Sequence, residues 1–141
     1  FGKNRSSFNP LLKEKFIEFS NQLKSKNIFF TNYSFDKLKL NKLSNKDFIY
    51  ADPPYLNSDA TYNELNGWNI EKEKFLLFLL DEANEKHINF ALSNNLKYNN
   101  NILNKWKNKY NIHYLNINYS NCNYHKKDKK IEDKEILITN Y

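Results

Sequence analysis

Two kinds of apolar pattern alternate along this sequence, and the alternation limits the fold more than any other feature. Residues 10 to 26, PLLKEKFIEFSNQLKSK, place Leu12, Phe16, Phe19 and Leu23 at helical spacing behind a proline suited to a first turn. NIFF (27 to 30) and DFIYA (47 to 51) are short apolar runs of strand character. Residues 70 to 86, IEKEKFLLFLLDEANEK, are the strongest helix, with acids early, where helix polarity favours them. INFALS (88 to 93) reads as a strand, ILNKWKNKY (102 to 110) as a short helix, and IHYLNINY (112 to 119) and EILITNY (135 to 141) as strands. Strands separated by helices of this length predict an α/β fold with a largely parallel sheet. The last two strands, joined by the polar loop SNCNYHKKDKKIEDK, are candidates for antiparallel pairing at one end.

The chain has 141 residues, the size of one domain with a real core, and neither a repeat nor a linker divides it. Aromatic residues at 16% offset a modest apolar share of 40%, because each ring buries a large area. No apolar run approaches the roughly 18 residues of a membrane span, and FGKNRSSFNP at the start has no signal-peptide core. A single cysteine, Cys122, rules out an internal disulfide and fits a reducing, cytoplasmic setting. The net charge of +6 permits an acidic partner such as nucleic acid. The Asn, Lys and Ile bias is most simply that of an AT-rich coding sequence. A first residue that is phenylalanine suggests a fragment or a processed product.

Two of the three prolines fall together in Asp52-Pro53-Pro54-Tyr55, directly after the apolar run FIYA. Each proline fixes φ and removes a backbone donor, so neither strand ladder nor helix can continue through them. What remains is a stiff arm holding a carboxylate and an aromatic ring at a set separation. In an open α/β sheet this arm lies beyond the carboxyl end of a strand, where ligands bind. A carboxylate, a free backbone carbonyl and a ring together suit a planar amine. Asp52 accepts one N–H of an exocyclic amino group, the Pro53 carbonyl accepts the other, and Tyr55 stacks on the base. Drawing both N–H bonds into acceptors leaves the nitrogen lone pair less committed to the ring, hence more nucleophilic.

DPPY after a hydrophobic strand resembles the catalytic motif of amino-directed DNA methyltransferases, and the leading Asp resembles the adenine-specific ones. The wider context resembles the alpha class, or Dam type. FGKNRSSFNP is similar to the segment closing the target-recognition region, so residues 1 to 10 take that place and Lys3 and Arg5 become DNA-contact candidates. FFTNYSFDKL is similar to the strand end lying against the cofactor's adenosyl part, which puts Ser34, Phe35 and Asp36, with Asp52, beside the cofactor. FALSN (90 to 94) and KEILITNY resemble the later strands. The resemblance covers nearly the whole chain. It implies a three-layer, Rossmann-like methyltransferase sheet, S-adenosylmethionine as methyl donor, double-stranded DNA as substrate, and a flipped-out target adenine. It also implies a restriction-modification setting with a cognate endonuclease as a possible partner.

The family's glycine-rich cofactor loop has no counterpart, since Gly2 and Gly67 are the only glycines and no G-x-G exists. The expected chain is therefore the C-terminal portion of the enzyme, incomplete without an N-terminal half and inactive by itself. Other readings are an inactive nucleic-acid-binding remnant, or transfer to cytosine amino groups or to adenine in RNA. Relatives of the last two kinds more often carry Ser or Asn in place of Asp52. Cys122 and His125 have a ligand-like spacing, but His87 and His113 offer no second pair toward the roughly four ligands of a zinc site, so no metal is expected. Ser93 and Asn94 end a strand, HKKDKK (125 to 130) is a solvated loop, and Trp68 and Trp106 are core or rim residues.

Overall fold

The computed structural model describes residues 9–57, 67–115 and 135–141. They belong to two compact units, Phe1–Tyr33 and Ser34–Tyr141.

In the first unit, helix α1 spans Pro10–Ser25, with Pro10 in the first turn and the Asn9 side chain accepting from the Leu12 N–H at 2.8 Å. No residue of α1 is buried, and Leu12, Phe16 and Phe19 are exposed. The expected strand at 27 to 30 does not form: residues 27–33 carry no regular element, and Phe29 and Phe30 are about four-fifths exposed, at 82% and 81%. A strand exists only through its pairing, and the described part of this unit offers only a helix beside it.

The second unit holds β1 (Phe48–Ala51), α2 (Ile70–Glu85), β2 (Asn89–Asn95), α3 (Asn101–Trp106), β3 (Asn111–Leu115) and β4 (Glu135–Thr139). The sheet order is β1-β2-β4-β3. β1 and β2 run parallel, from Phe48 opposite Asn89 to Ala51 opposite Leu92. β4 runs against both of its neighbours, pairing Asn95 with Glu135 on one side and Leu115 with Glu135 on the other. The sheet is thus mixed rather than largely parallel. The last two strands do pair antiparallel at one end of the sheet, with β4 lying between β2 and β3. The helix expected at 102 to 110 ends at Trp106 and tightens into a 3-10 turn over Lys107–Lys109. The part of the 112-to-119 strand beyond Leu115 lies outside the described residues.

Alternation along the strands puts Phe90 and Leu92 of β2 with Ile136 and Ile138 of β4 on one face, all fully buried. Leu76, Leu77, Leu79, Leu80 and Ala83 of α2 and Leu103 and Trp106 of α3 complete that core. Their spacing along α2 is the helical one read in the sequence. α2 begins at Asn69, whose side chain accepts from the Lys72 N–H at 2.9 Å, and is left through His87 at φ 57 while the Ile88 N–H bonds the Ala83 carbonyl at 2.9 Å. Asp81 pins α3 and its following turn to α2, accepting from Trp106 Nε1 (2.8 Å), the Tyr110 hydroxyl (2.6 Å) and Lys109 Nζ (2.8 Å). No described helix is long and apolar enough to cross a membrane.

Candidate active site at the end of the sheet

Because β1 and β2 are parallel and β4 is antiparallel, the carboxyl ends of β1 and β2 meet the amino end of β4 at one edge of the sheet. Asp52-Pro53-Pro54-Tyr55 leaves β1 at this edge, in the position expected for a ligand site. Asp52 is exposed, Pro53 is buried, and Pro54 and Tyr55 are half-buried. The arm is tied down after the prolines. Leu56 is buried, and Asn57 takes a left-handed φ of 67, which Asn tolerates better than most residues. The Asn57 amide donates to the Tyr98 carbonyl at 3.3 Å, and the Tyr98 ring lies 5.8 Å from that of Tyr55, tilted by 38°.

The Tyr55 hydroxyl donates to Glu135 Oε2 at 3.1 Å, and Asn95 Nδ2 donates to Glu135 Oε1 at 2.9 Å. Glu135 is 7% exposed and Asn95 3%. Burial, followed by the neighbouring Glu135 carboxylate and then the charge of Asp52, raises the Tyr55 phenol well above its ordinary range; a bond with the Ser93 side chain pulls the other way. Tyr55 is therefore a neutral hydroxyl throughout the physiological range. Asn94 is also buried. Its carbonyl oxygen accepts from the Asn95 N–H at 2.8 Å, while its Nδ2 has no partner among the described residues.

Ser34 caps a 3-10 turn over Phe35–Lys37 at the start of the second unit; Phe35 packs around the beginning of α2, while Ser34 and Asp36 interact within the turn. Phe35 packs on Trp68 at 5.4 Å and on Phe75 at 5.8 Å. A bond from the Ser34 side chain, with Lys37 adding to it, holds the Asp36 carboxyl below its usual range. Both Ser34 and Asp36 are exposed. Lys3 and Arg5 fall outside the described residues, as do Cys122 and His125. No group of three His, Cys, Asp or Glu among the described residues is placed to hold a metal ion.

Sequence reasoning missed the acids that organise this end of the molecule. Glu73 looked like a first-turn residue favoured by the helix dipole. It is 1% exposed instead, and accepts from Trp68 Nε1 and Asn100 Nδ2, each at 2.6 Å. Asn100 in turn caps α3 through its bonds to the Ile102 and Leu103 N–H groups. Glu73 therefore joins the Phe35–Trp68 cluster to α3. Burial raises its carboxyl above the usual range, and the Trp68 and Asn100 bonds oppose that rise only in part.

A raised acid stabilises the fold fully below its unfolded value, and that contribution is lost as pH rises through the folded value. Thermal melts taken from pH 4 upward should show this decline across the window just above the ordinary glutamate range. Glu73→Gln should flatten the decline, while lowering stability overall because one donor then faces the Gln amide. A variant with an unchanged pH slope would remove Glu73 as its source.

A stiff Asp-Pro-Pro-Tyr arm at the carboxyl end of a parallel strand thus presents an exposed acid beside an anchored ring. Residues 1–121 match the model of the D12 class N6 adenine-specific DNA methyltransferases, and the chain belongs to that family. It is similar to the type II methyltransferase M.FokI of Planomicrobium okeanokoites, at 40% identity over 148 aligned residues, and to the modification methylase StsI of Streptococcus sanguinis, at 35% over 150. The whole chain is aligned in both cases, yet it spans only 23% of the length of each relative. A third relative, the modification methylase LlaI of Lactococcus lactis subsp. lactis, is 30% identical over 77% of the chain and 17% of its own length.

Proposed function

We propose that this chain supplies the target-base half of a site-specific DNA adenine methyltransferase of a restriction-modification system, with double-stranded DNA as substrate. The observation that carries the reading is the Asp52–Tyr55 arm, exposed at its acid and anchored at its ring, in a chain of this family. Its four strands are then part of a larger Rossmann-like, three-layer sheet.

S-adenosylmethionine, when bound, supplies an electrophilic methyl group. The fit to this donor is partial. Asp52, Ser34 and Asp36 have exposed side-chain oxygens that suit its polar groups, whereas the sequence has no G-x-G with which to cradle its methionine part. Residues beyond this chain complete that cradle, a view supported by the length of the relatives.

The chain's own residues do the rest. Asp52 and the Pro53 carbonyl accept the two N–H bonds of the target amino group, and Tyr55 holds the flipped base by stacking. The Asp52 charge would offset the positive charge that the nitrogen gains as the methyl group leaves the donor's sulfur for it, until the nitrogen releases one proton to water. The test is methyl transfer by the full-length polypeptide to duplex DNA, with the modified nucleoside identified by mass spectrometry. N6-methyladenine is expected; N4-methylcytosine alone would overturn the assignment.

Binding to DNA should carry the signature of the positive charge. Each neutralised phosphate adds about 0.9 to the slope of log affinity against log salt. Lys3→Ala with Arg5→Ala should flatten that slope more than Lys129→Ala with Lys130→Ala, because the first pair adjoins the proposed recognition region. Equal slopes would remove Lys3 and Arg5 from the interface.

A further inference from the structure

The Tyr55 ring is held at its far end by a carboxylate that comes from the opposite end of the described chain. Glu135 opens β4 and is paired in register with Asn95, so both side chains stand on the same face at the site edge. With Glu135 nearly buried, its two oxygens are met by two donors, the Asn95 amide and the Tyr55 hydroxyl. These donors replace the hydration that a carboxylate loses when it is taken out of water.

The sheet fixes Glu135 and Asn95, and the prolines fix the chain entering Tyr55. The phenol hydroxyl ends the long axis of the ring, and Glu135 accepts from it there, with the Ser93 side chain as a second partner. Tyr98 props the ring from the side, at an angle too steep for parallel stacking. At 3.1 Å the Tyr55–Glu135 bond is longer than the about 2.5–2.7 Å of the strongest charge-assisted hydroxyl bonds, so it steers the ring more than it clamps it.

We propose that Glu135, oriented by Asn95, is a positioning residue that holds the far end of the Tyr55 ring in place for the target base. This rests on the functional reading above, in which that ring stacks on adenine. It gives the phenol hydroxyl a task of its own. Phenylalanine, which stacks equally well, is then an incomplete substitute, and it leaves Glu135 buried with one donor fewer. Glu135 touches neither substrate nor cofactor in this scheme.

The test uses the full-length polypeptide carrying Glu135→Gln, Glu135→Ala or Tyr55→Phe, and the two Glu135 variants combined with Tyr55→Phe. Turnover, KM for S-adenosylmethionine and the fluorescence of a duplex with 2-aminopurine at the target are compared. Glu135→Ala should lower turnover about tenfold and shrink the fluorescence rise, with KM for the methyl donor within about twofold of wild type. Glu135→Gln, whose carbonyl oxygen still accepts from the phenol, should recover part of the loss. Combined with Tyr55→Phe, neither Glu135 change should cost more than Tyr55→Phe does alone. Losses that multiply in the double variants would overturn the proposal, since Glu135 would then act by a route other than the hydroxyl. So would a Gln variant with wild-type turnover and fluorescence.

Aromatic NMR resonances of Tyr55, identified by their loss in Tyr55→Phe, read the contact without any activity. Glu135→Ala should shift and broaden them, Glu135→Gln should do so less, and resonances unmoved in Glu135→Ala would overturn the proposal. Absence of adenine methylation by the wild type would instead sink the functional reading and leave the ring resonances to decide the anchoring.

Discussion

Replacing Asp52 with alanine should lower methyl-transfer turnover of the full-length polypeptide by about 10² or more, the usual cost of losing one preorganised hydrogen-bond partner of a transition state. The target nitrogen is neutral in the bound base and gains positive charge as the methyl group approaches. A carboxylate beside it therefore stabilises the transition state more than the ground state, and its loss falls on turnover rather than on base binding. The arm makes this effect large. Pro53 and Pro54 leave little backbone freedom, and Leu56, Asn57 and Tyr55 are each tied to the body of the domain, so Asp52 reorganises little during the reaction. Asn keeps the shape and loses the charge, and its amide can turn a donor toward a donor; little rescue is expected from Asp52→Asn. Single-turnover rates with 2-aminopurine fluorescence in parallel check the claim. Flipping should persist in Asp52→Ala while transfer collapses. A variant that transfers at the wild-type rate would require another group to carry the charge.

The elements that proved legible are those whose pattern is local. FIYA followed by two prolines, and the long apolar spacing of residues 70 to 86, required nothing but neighbouring residues to read, and they became β1 and α2. NIFF has the same local character as FIYA and still forms no strand, because pairing is supplied from elsewhere in the chain. The insertion of β4 between β2 and β3 is equally invisible, since the Ile-Leu-Ile centre of EILIT would suit an edge or a central position alike. The arm itself was legible because proline declares its geometry in the sequence. Its anchor was not: Glu135 lies 80 residues from Tyr55 and 40 from Asn95. The one available signal was an acid heading an otherwise apolar run, a position where burial demands partners. Glu73 hid in the same way, as one acid among several at a helix start.

Phe90→Ala should cost about 3–5 kcal/mol of stability, the range for emptying a large buried ring from a core. Phe90 is fully buried in β2, with Trp106 at 6.0 Å and Tyr110 at 5.0 Å edge-on. Those two rings are themselves fixed by Asp81, and the Phe90 N–H is held by the Asn140 side chain at 2.8 Å, so little can collapse into the space left behind. A site that cannot relax pays both the lost burial and the cavity. Against the 5–15 kcal/mol that separates typical domains from unfolding, this is a large fraction. The damage also reaches the other end of the strand, because β2 carries Ser93 and Asn95 beside Tyr55 and Glu135. Phe90→Leu, which refills most of the volume, should lose much less. Urea denaturation followed through tryptophan emission reads both variants, since Trp106 packs on Phe90. A loss below about 1 kcal/mol for Phe90→Ala would mean that the core repacks around the vacancy, contrary to the rigidity that the Asp81 and Asn140 bonds impose.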